Sequence, residues 1–231
     1  MKWFKRILLV ILIIFVVAAT VILANGYGLY KDVIDEISLE DKVKEIREDE
    51  NFVSLTSLPT KYQQAVIAVE DHRFKEHGAI DLIAIGRALW VNVTNFELRE
   101  GGSTITQQVA KNLYFIENNN NPINRKVAEI FMSFKIESIY SKDEILEIYV
   151  NTIYFGDGYY GIKEACNGYF DKEPQNMTLY EATMMAGIPN APSVYAPTVN
   201  PELTRKRQKK VVDSMVEYGY LTQEEADAIH E

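Results

Sequence analysis

Gly101-Gly102-Ser103-Thr104-Ile105-Thr106-Gln107-Gln108 is the stretch on which the reading of this chain turns. A flexible glycine pair leads into hydroxyls and carboxamides, and these run straight into an apolar helical pattern, so neutral donors and acceptors collect at a helix start. Such a segment can grip a polar, oxygen-rich ligand, although a capped and solvated helix start has the same composition. The neighbouring stretches decide between the two. Upstream lies Glu70-Asp71-His72-Arg73-Phe74-Lys75-Glu76-His77; downstream lie Arg125-Lys126-Val127-Ala128-Glu129 and Lys142 to Asn151.

Outward from these motifs the pattern is helical. Tyr62, Ala65, Val66 and Val69 recur at helical spacing and deliver Glu70 to the end of a helix, and Asp81 is a candidate N-cap for the next one. Pro122 at a first helical position opens a long helix whose expected buried stripe is Ile123, Val127, Ile130, Phe131 and Phe134. Arg125 and Glu129, four apart, share one side of it. Ser141, Thr178 and Thr222, each followed three residues later by Glu, have the capping-box form and mark three further helix starts. No alternating strand series, repeat, P-loop or dinucleotide fingerprint is present in the sequence.

The net charge of -9 argues against nucleic acid as the main partner, so an anionic ligand would have to meet a local basic cluster. Cys166 is the single cysteine, which rules out an intramolecular disulfide and a thiolate metal cage; its helical spacing from Ile162, Ala165 and Tyr169 reads as a buried thiol. Ile7 to Ala24 carries no charge and approaches the roughly 20 apolar residues that cross a bilayer. Lys2, Lys5 and Arg6 precede it and acidic residues follow, which predicts a cytoplasmic N-terminus and a retained anchor rather than a cleaved signal. The expected organisation is a tail over 1–6, a transmembrane helix over 7–30, a charged segment over 31–52 that is a solvated helical stalk or a loose linker, and one domain over 53–231.

Glu70-Asp71 at a helix end has the composition of a solvated C-terminal turn, but Glu70 is also a candidate general base: a helix end behind an apolar face offers partial burial, which raises a carboxyl's proton affinity, and the charge of adjacent Asp71 acts in the same direction.

The four motifs, in this order and spacing, resemble the peptidoglycan glycosyltransferases of family 51, in particular the monofunctional ones without a penicillin-binding domain, over roughly Val53 to Pro197. The resemblance implies a mainly α, lysozyme-like two-lobed glycosyltransferase domain preceded by one transmembrane helix. It implies polymerisation of lipid II onto a growing lipid-linked glycan strand, with inversion and release of undecaprenyl pyrophosphate, on the outer face of a bacterial cell membrane. Glu70 is then the general base and Glu129 a second carboxylate near the pyrophosphate. Asp71, Phe74 and His77 complete the first motif, and Ser103, Thr104, Gln107 and Gln108 line the donor site. Lys111, Arg125 and Lys126 supply the positive charge that a departing pyrophosphate needs. Asn151 of the fourth motif either supports the fold or touches substrate.

By the same resemblance the chain itself holds no metal, and Mg²⁺ or Mn²⁺ bridges the pyrophosphate near Glu129. Other cell-wall synthesis proteins are implied partners. The loop from Asn118 to Asn121 lacks the further basic residue that relatives often carry there. A glycan-cleaving, lysozyme-like enzyme and a non-catalytic membrane-tethered scaffold are the competing readings.

Overall fold

A computed structural model describes residues 2–95, 101–116 and 121–229. Among them the chain is helical: α1 (Lys2–Glu36), α2 (Leu39–Glu48), α3 (Thr60–Glu70), α4 (Leu82–Asn95), α5 (Ile105–Tyr114), α6 (Pro122–Ile139), α7 (Lys142–Thr152), α8 (Ile162–Phe170), α9 (Leu179–Gly187), α10 (Pro192–Tyr195), α11 (Pro201–Glu217) and α12 (Gln223–Asp227). The described residues hold no strand, only an isolated bridge between Tyr154 and Tyr160. Asn118 to Asn120 of the loop before α6 lie outside the described residues.

Local chemistry sets the boundaries. Asp81 caps α4 by accepting from the amides of Ile83 and Ala84, both at 2.9 Å. Thr104 caps α5, and Pro122 opens α6 behind an Asn121 cap. The capping boxes at Ser141, Thr178 and Thr222 are all formed.

Two expectations change. The segment over 31–52 is helical, as one of its two readings has it, but it is neither a loose linker nor solvated throughout: Ser38 caps α2, whose Leu39 and Val43 are fully buried against the core, so the folded unit begins ahead of residue 53. The buried stripe of α6 is also rotated. Ala128, Glu129, Met132, Ser133 and Ile136 face inward, whereas Ile123 and Phe134 are more than half exposed. The reason is that α6 has two neighbours to satisfy, α5 and α7 on one side and α1 on the other, with the aromatic ring of Phe131 meeting Tyr27 and Tyr30 of α1.

The remaining packing makes two groups. Helices α3, α9 and α11 pack together, and α5 packs on α6 and α7; a hollow opens between the groups at the C-terminal end of α3. α1 is the one helix among the described residues long and apolar enough to cross a membrane, and its residues 3–18 are exposed. α4 is shorter and also apolar, with Leu82, Ile83, Leu89, Trp90 and Val93 exposed.

Candidate active site

The hollow is a polar cleft of about 690 Å³. Its floor is the end of α3, one wall comes from α5 and α6, and the other from α11 with the turn after α9.

Glu70 lies at the floor, its side chain 9% exposed. Gln108 Nε2 donates to Oε2 at 2.8 Å, and Arg207 Nη2 stands 3.4 Å from Oε1. Burial pushes the carboxyl above the usual carboxylate range; the Gln108 hydrogen bond and the Arg207 charge pull it back, and the charge of Asp71 adds a further push. A carboxyl so placed takes up a proton more readily than a solvated one. That is a property a general base needs.

Glu129 lies on the α5–α6 wall and is 4% exposed. Lys126 Nζ is 3.1 Å from Oε2 and Arg125 Nε 3.6 Å from Oε1, both from the preceding turn of the same helix. Lys126 also donates to Ser103 Oγ at 3.0 Å, tying the Gly101–Gln108 stretch to α6. Ser103, Gln107, Gln108, Lys111, Lys126 and Glu129 therefore share one hollow with Glu70.

Other residues of the four motifs stand behind that hollow. Asp71 reaches its edge, but its carboxylate is engaged: Oδ1 meets His77 Nε2 at 2.7 Å and Oδ2 accepts from the Ile105 amide at 3.1 Å, pinning the start of α5. His77 holds the Gly78 carbonyl through Nδ1 at 2.7 Å. Thr104 is buried, caps α5 and donates to the Ala79 carbonyl at 3.0 Å. Phe74 is fully buried beneath the Lys142 ammonium, 4.4 Å from the ring centre. Asn151 brackets Val53 on the far side of α7, accepting from its amide at 2.8 Å and donating to its carbonyl at 2.9 Å. Arg125 reaches Glu129 without lining the hollow. The arrangement gives Phe74, His77, Thr104 and Asn151 framework positions outside the lining of the hollow, and Asp71 an engaged position at its edge.

Asp71, His77 and Asp81 come close enough to suggest a metal cluster. The carboxylate oxygens are already taken, those of Asp71 by His77 and an amide and those of Asp81 by the Arg73 guanidinium and two amides. This is a clamp between the first two motifs.

Sequence reasoning missed Arg207, together with His72 and Tyr218, which also line the cleft and whose rings stack at 4.2 Å. Arg207 also donates to the Gly187 carbonyl at 3.2 Å. A Cβ at Gly187 would stand 3.1 Å from Arg207 Cγ, so α9 and α11 approach closely at this point. The signal was present within Arg205 to Lys210: Arg207 alone of the cations there shares a helical face with Thr204, Val211 and Met215, all buried.

Fold and cleft together define the class, a mainly α protein in which two buried acids and a small set of cations face one polar hollow. The chain belongs to the transglycosylase family, whose model matches residues 39–216. It is similar to penicillin-binding protein 1F of Bacillus subtilis, 41% identical over 174 residues, 75% of this chain and 24% of that protein. It is similar to penicillin-binding protein 1A of Neisseria gonorrhoeae, 43% identical over 176 residues, 76% of this chain and 22% of that protein. The chain thus spans about a quarter of the length of these relatives. A Cupriavidus necator protein named as a transglycosylase is 40% identical over 187 residues, 81% of this chain and 80% of the relative.

Proposed function

We propose that this chain is a peptidoglycan glycosyltransferase that builds glycan strands from lipid II and releases undecaprenyl pyrophosphate. The observation that carries the reading is that a buried acid with raised proton affinity, Glu70, opens onto the same hollow as Glu129 and Lys126. Family membership points the same way.

Glu70 takes the proton from the acceptor sugar's 4-hydroxyl. The oxygen attacks the anomeric carbon of the growing strand from the side opposite the pyrophosphate, the bond to the pyrophosphate breaks, and the anomeric configuration inverts. Gln108 aims the carboxylate and Arg207 limits the rise in its proton affinity. Lys111 and Lys126 meet the charge that accumulates on the leaving group, with Arg125 in support behind them, and Ser103 and Gln107 offer neutral donors to its oxygens.

The protein donors near Glu129 amount to one carboxylate between two cations, which suits a divalent ion only when phosphate oxygens complete its shell. Mg²⁺ or Mn²⁺ held by Glu129 and substrate would supply further neutralisation of the pyrophosphate.

A membrane anchor fits a donor whose pyrophosphate stays at the bilayer surface, and the cations before α1 with the acids after it favour a cytoplasmic N-terminus. Exposed apolar residues of α4 suit contact with the same surface. Other cell-wall synthesis proteins complete the set of partners proposed.

The test is polymerisation of purified lipid II by the full chain in detergent, with and without Mg²⁺ or Mn²⁺. Glu70→Gln is expected to lower the rate by about 10²–10⁴ while leaving the circular dichroism spectrum unchanged. A Glu70→Gln variant polymerising at the wild-type rate refutes the base. Cleavage of finished glycan without polymerisation would favour the hydrolase reading.

A further inference from the structure

Helix α1 does more than pass through an apolar layer, because its second half is docked on α6. Gly26 is buried in a helix whose residues 3–18 are exposed, and a Cβ at that position would fall 2.4 Å from Val127 Cγ1 and 3.1 Å from the Asn124 carbonyl oxygen. Only a residue without a side chain allows the two backbones this approach. Tyr27 closes the joint with its ring edge-on to Phe131 at 5.3 Å, and Leu29, Tyr30 and Val33 pack on the core beyond it. The stripe Ala19, Ile22, Gly26, Leu29 and Val33 is partly or wholly buried at helical spacing.

The partner face on α6 is Asn124, Val127 and Phe131. The other face of that helix carries Lys126 and Glu129 into the cleft. Gly26 lies two residues past Ala24, the last residue of the uncharged apolar run. At 1.5 Å per residue that is about 3 Å, so the joint sits where hydrocarbon gives way to headgroups.

We infer that the α1–α6 joint at Gly26 is a positioning device: it fixes Lys126 and Glu129 at headgroup height, in register with the diphosphate of a lipid-linked donor. The inference rests on the proposed function for its substrate, although the joint itself does not. A flexible tether would deliver the same cleft to the membrane, but at no fixed depth.

The experiment compares the full-length wild type with Gly26→Leu, which wedges the helices apart, and with Tyr27→Ala as a milder opening should the first variant fail to fold. Each is reconstituted in vesicles of phosphatidylethanolamine and phosphatidylglycerol, and each is also assayed in detergent micelles, which present no fixed plane. In vesicles containing lipid II the variants should lose at least about tenfold in kcat/KM, carried mainly by KM; in micelles the loss should be under about threefold. An equal loss in both settings, with a lowered Tm, would make the joint a fold buttress and overturn the inference, and so would no loss in either. A second readout uses no donor. A fluorophore on Ile123→Cys in a Cys166→Ser background, quenched by spin-labelled lipids of known depth, should report one depth in the wild type and a broadened or outward-shifted one in Gly26→Leu. Unchanged depth overturns the inference even if lipid II is not the substrate; inactivity of the wild type with its depth preserved would count against the proposed function alone.

Discussion

At the end of α3, Glu70 faces one carboxamide at 2.8 Å and one guanidinium at 3.4 Å, brought from α5 and α11. On α6, Glu129 faces an ammonium at 3.1 Å and a guanidinium at 3.6 Å, both supplied by its own helix one turn earlier. Both acids are buried and both open onto one hollow. The first is assembled by the tertiary fold around one neutral and one cationic partner, and its burial raises its proton affinity. The second is assembled by local sequence around cations, which makes it a part of a charged surface that can organise phosphate. In the proposed reaction one residue type would serve two roles through what surrounds it.

The sharpest way to break that distinction is to remove both charges separately. Glu129→Gln is expected to lower polymerisation by about 10²–10³, the cost of losing one group that organises transition-state charge. Raising the Mg²⁺ concentration should recover part of that activity, whereas Glu70→Gln should stay inactive at every concentration. Initial rates across a Mg²⁺ titration check this; recovery of both variants, or of Glu70→Gln alone, would dissolve the contrast.

Arg207 sharpens it next. Its charge lowers the proton affinity of Glu70, so Arg207→Gln leaves burial less opposed and the carboxyl rises further. A base must be ionised, so the acidic limb of the pH–rate profile follows the Glu70 carboxyl and moves to higher pH in the variant. At a fixed pH on that limb a shift of one unit costs about tenfold, and the rate recovers toward its plateau as pH rises. A profile scaled down uniformly, with no movement of the limb, would mean that Arg207 works by some route other than Glu70.

The same raised carboxyl carries a signature in stability. The folded state binds the proton more tightly than the unfolded chain, so Glu70 contributes stability below the ordinary carboxyl range and loses it as pH rises through its folded value. Gln is neutral throughout. The Tm of Glu70→Gln relative to wild type should therefore climb with pH across that window and then level off. A difference independent of pH would place Glu70 at an unshifted value.

Where sequence reasoning succeeded and failed follows from the same contrast. Helix starts were legible because Asp81, Pro122, Ser141, Thr178 and Thr222 act within one turn of the chain. The Arg125–Glu129 pair, four residues apart on one helix, was legible for the same reason. Arg207 sits 137 residues from Glu70, and nothing local distinguishes it from the neighbouring Lys206 or Lys209 except the face it shares with Val211. The α6 stripe was misjudged because amphipathic counting assumes one partner surface, while Val127 and Phe131 are spent on α1. The acidic α2 looked like a solvated stalk because its charges outnumber its two buried anchors, Leu39 and Val43.

Asn151 gives the smallest expected effect on turnover and the finest test of which motif residues are framework. Its carboxamide holds both backbone groups of Val53 and donates to the Glu147 carbonyl at 2.8 Å, joining the segment after α2 to α7. Truncation to Ala leaves those groups without their partner, at a cost of about 1–3 kcal/mol. The thermal midpoint of Asn151→Ala should fall while the turnover of the folded fraction stays at the wild-type level. The family resemblance leaves substrate contact open for this residue, and the two roles part in that experiment. A variant with an unchanged midpoint and a raised KM would bring Asn151 out of the scaffold and into the group that touches substrate.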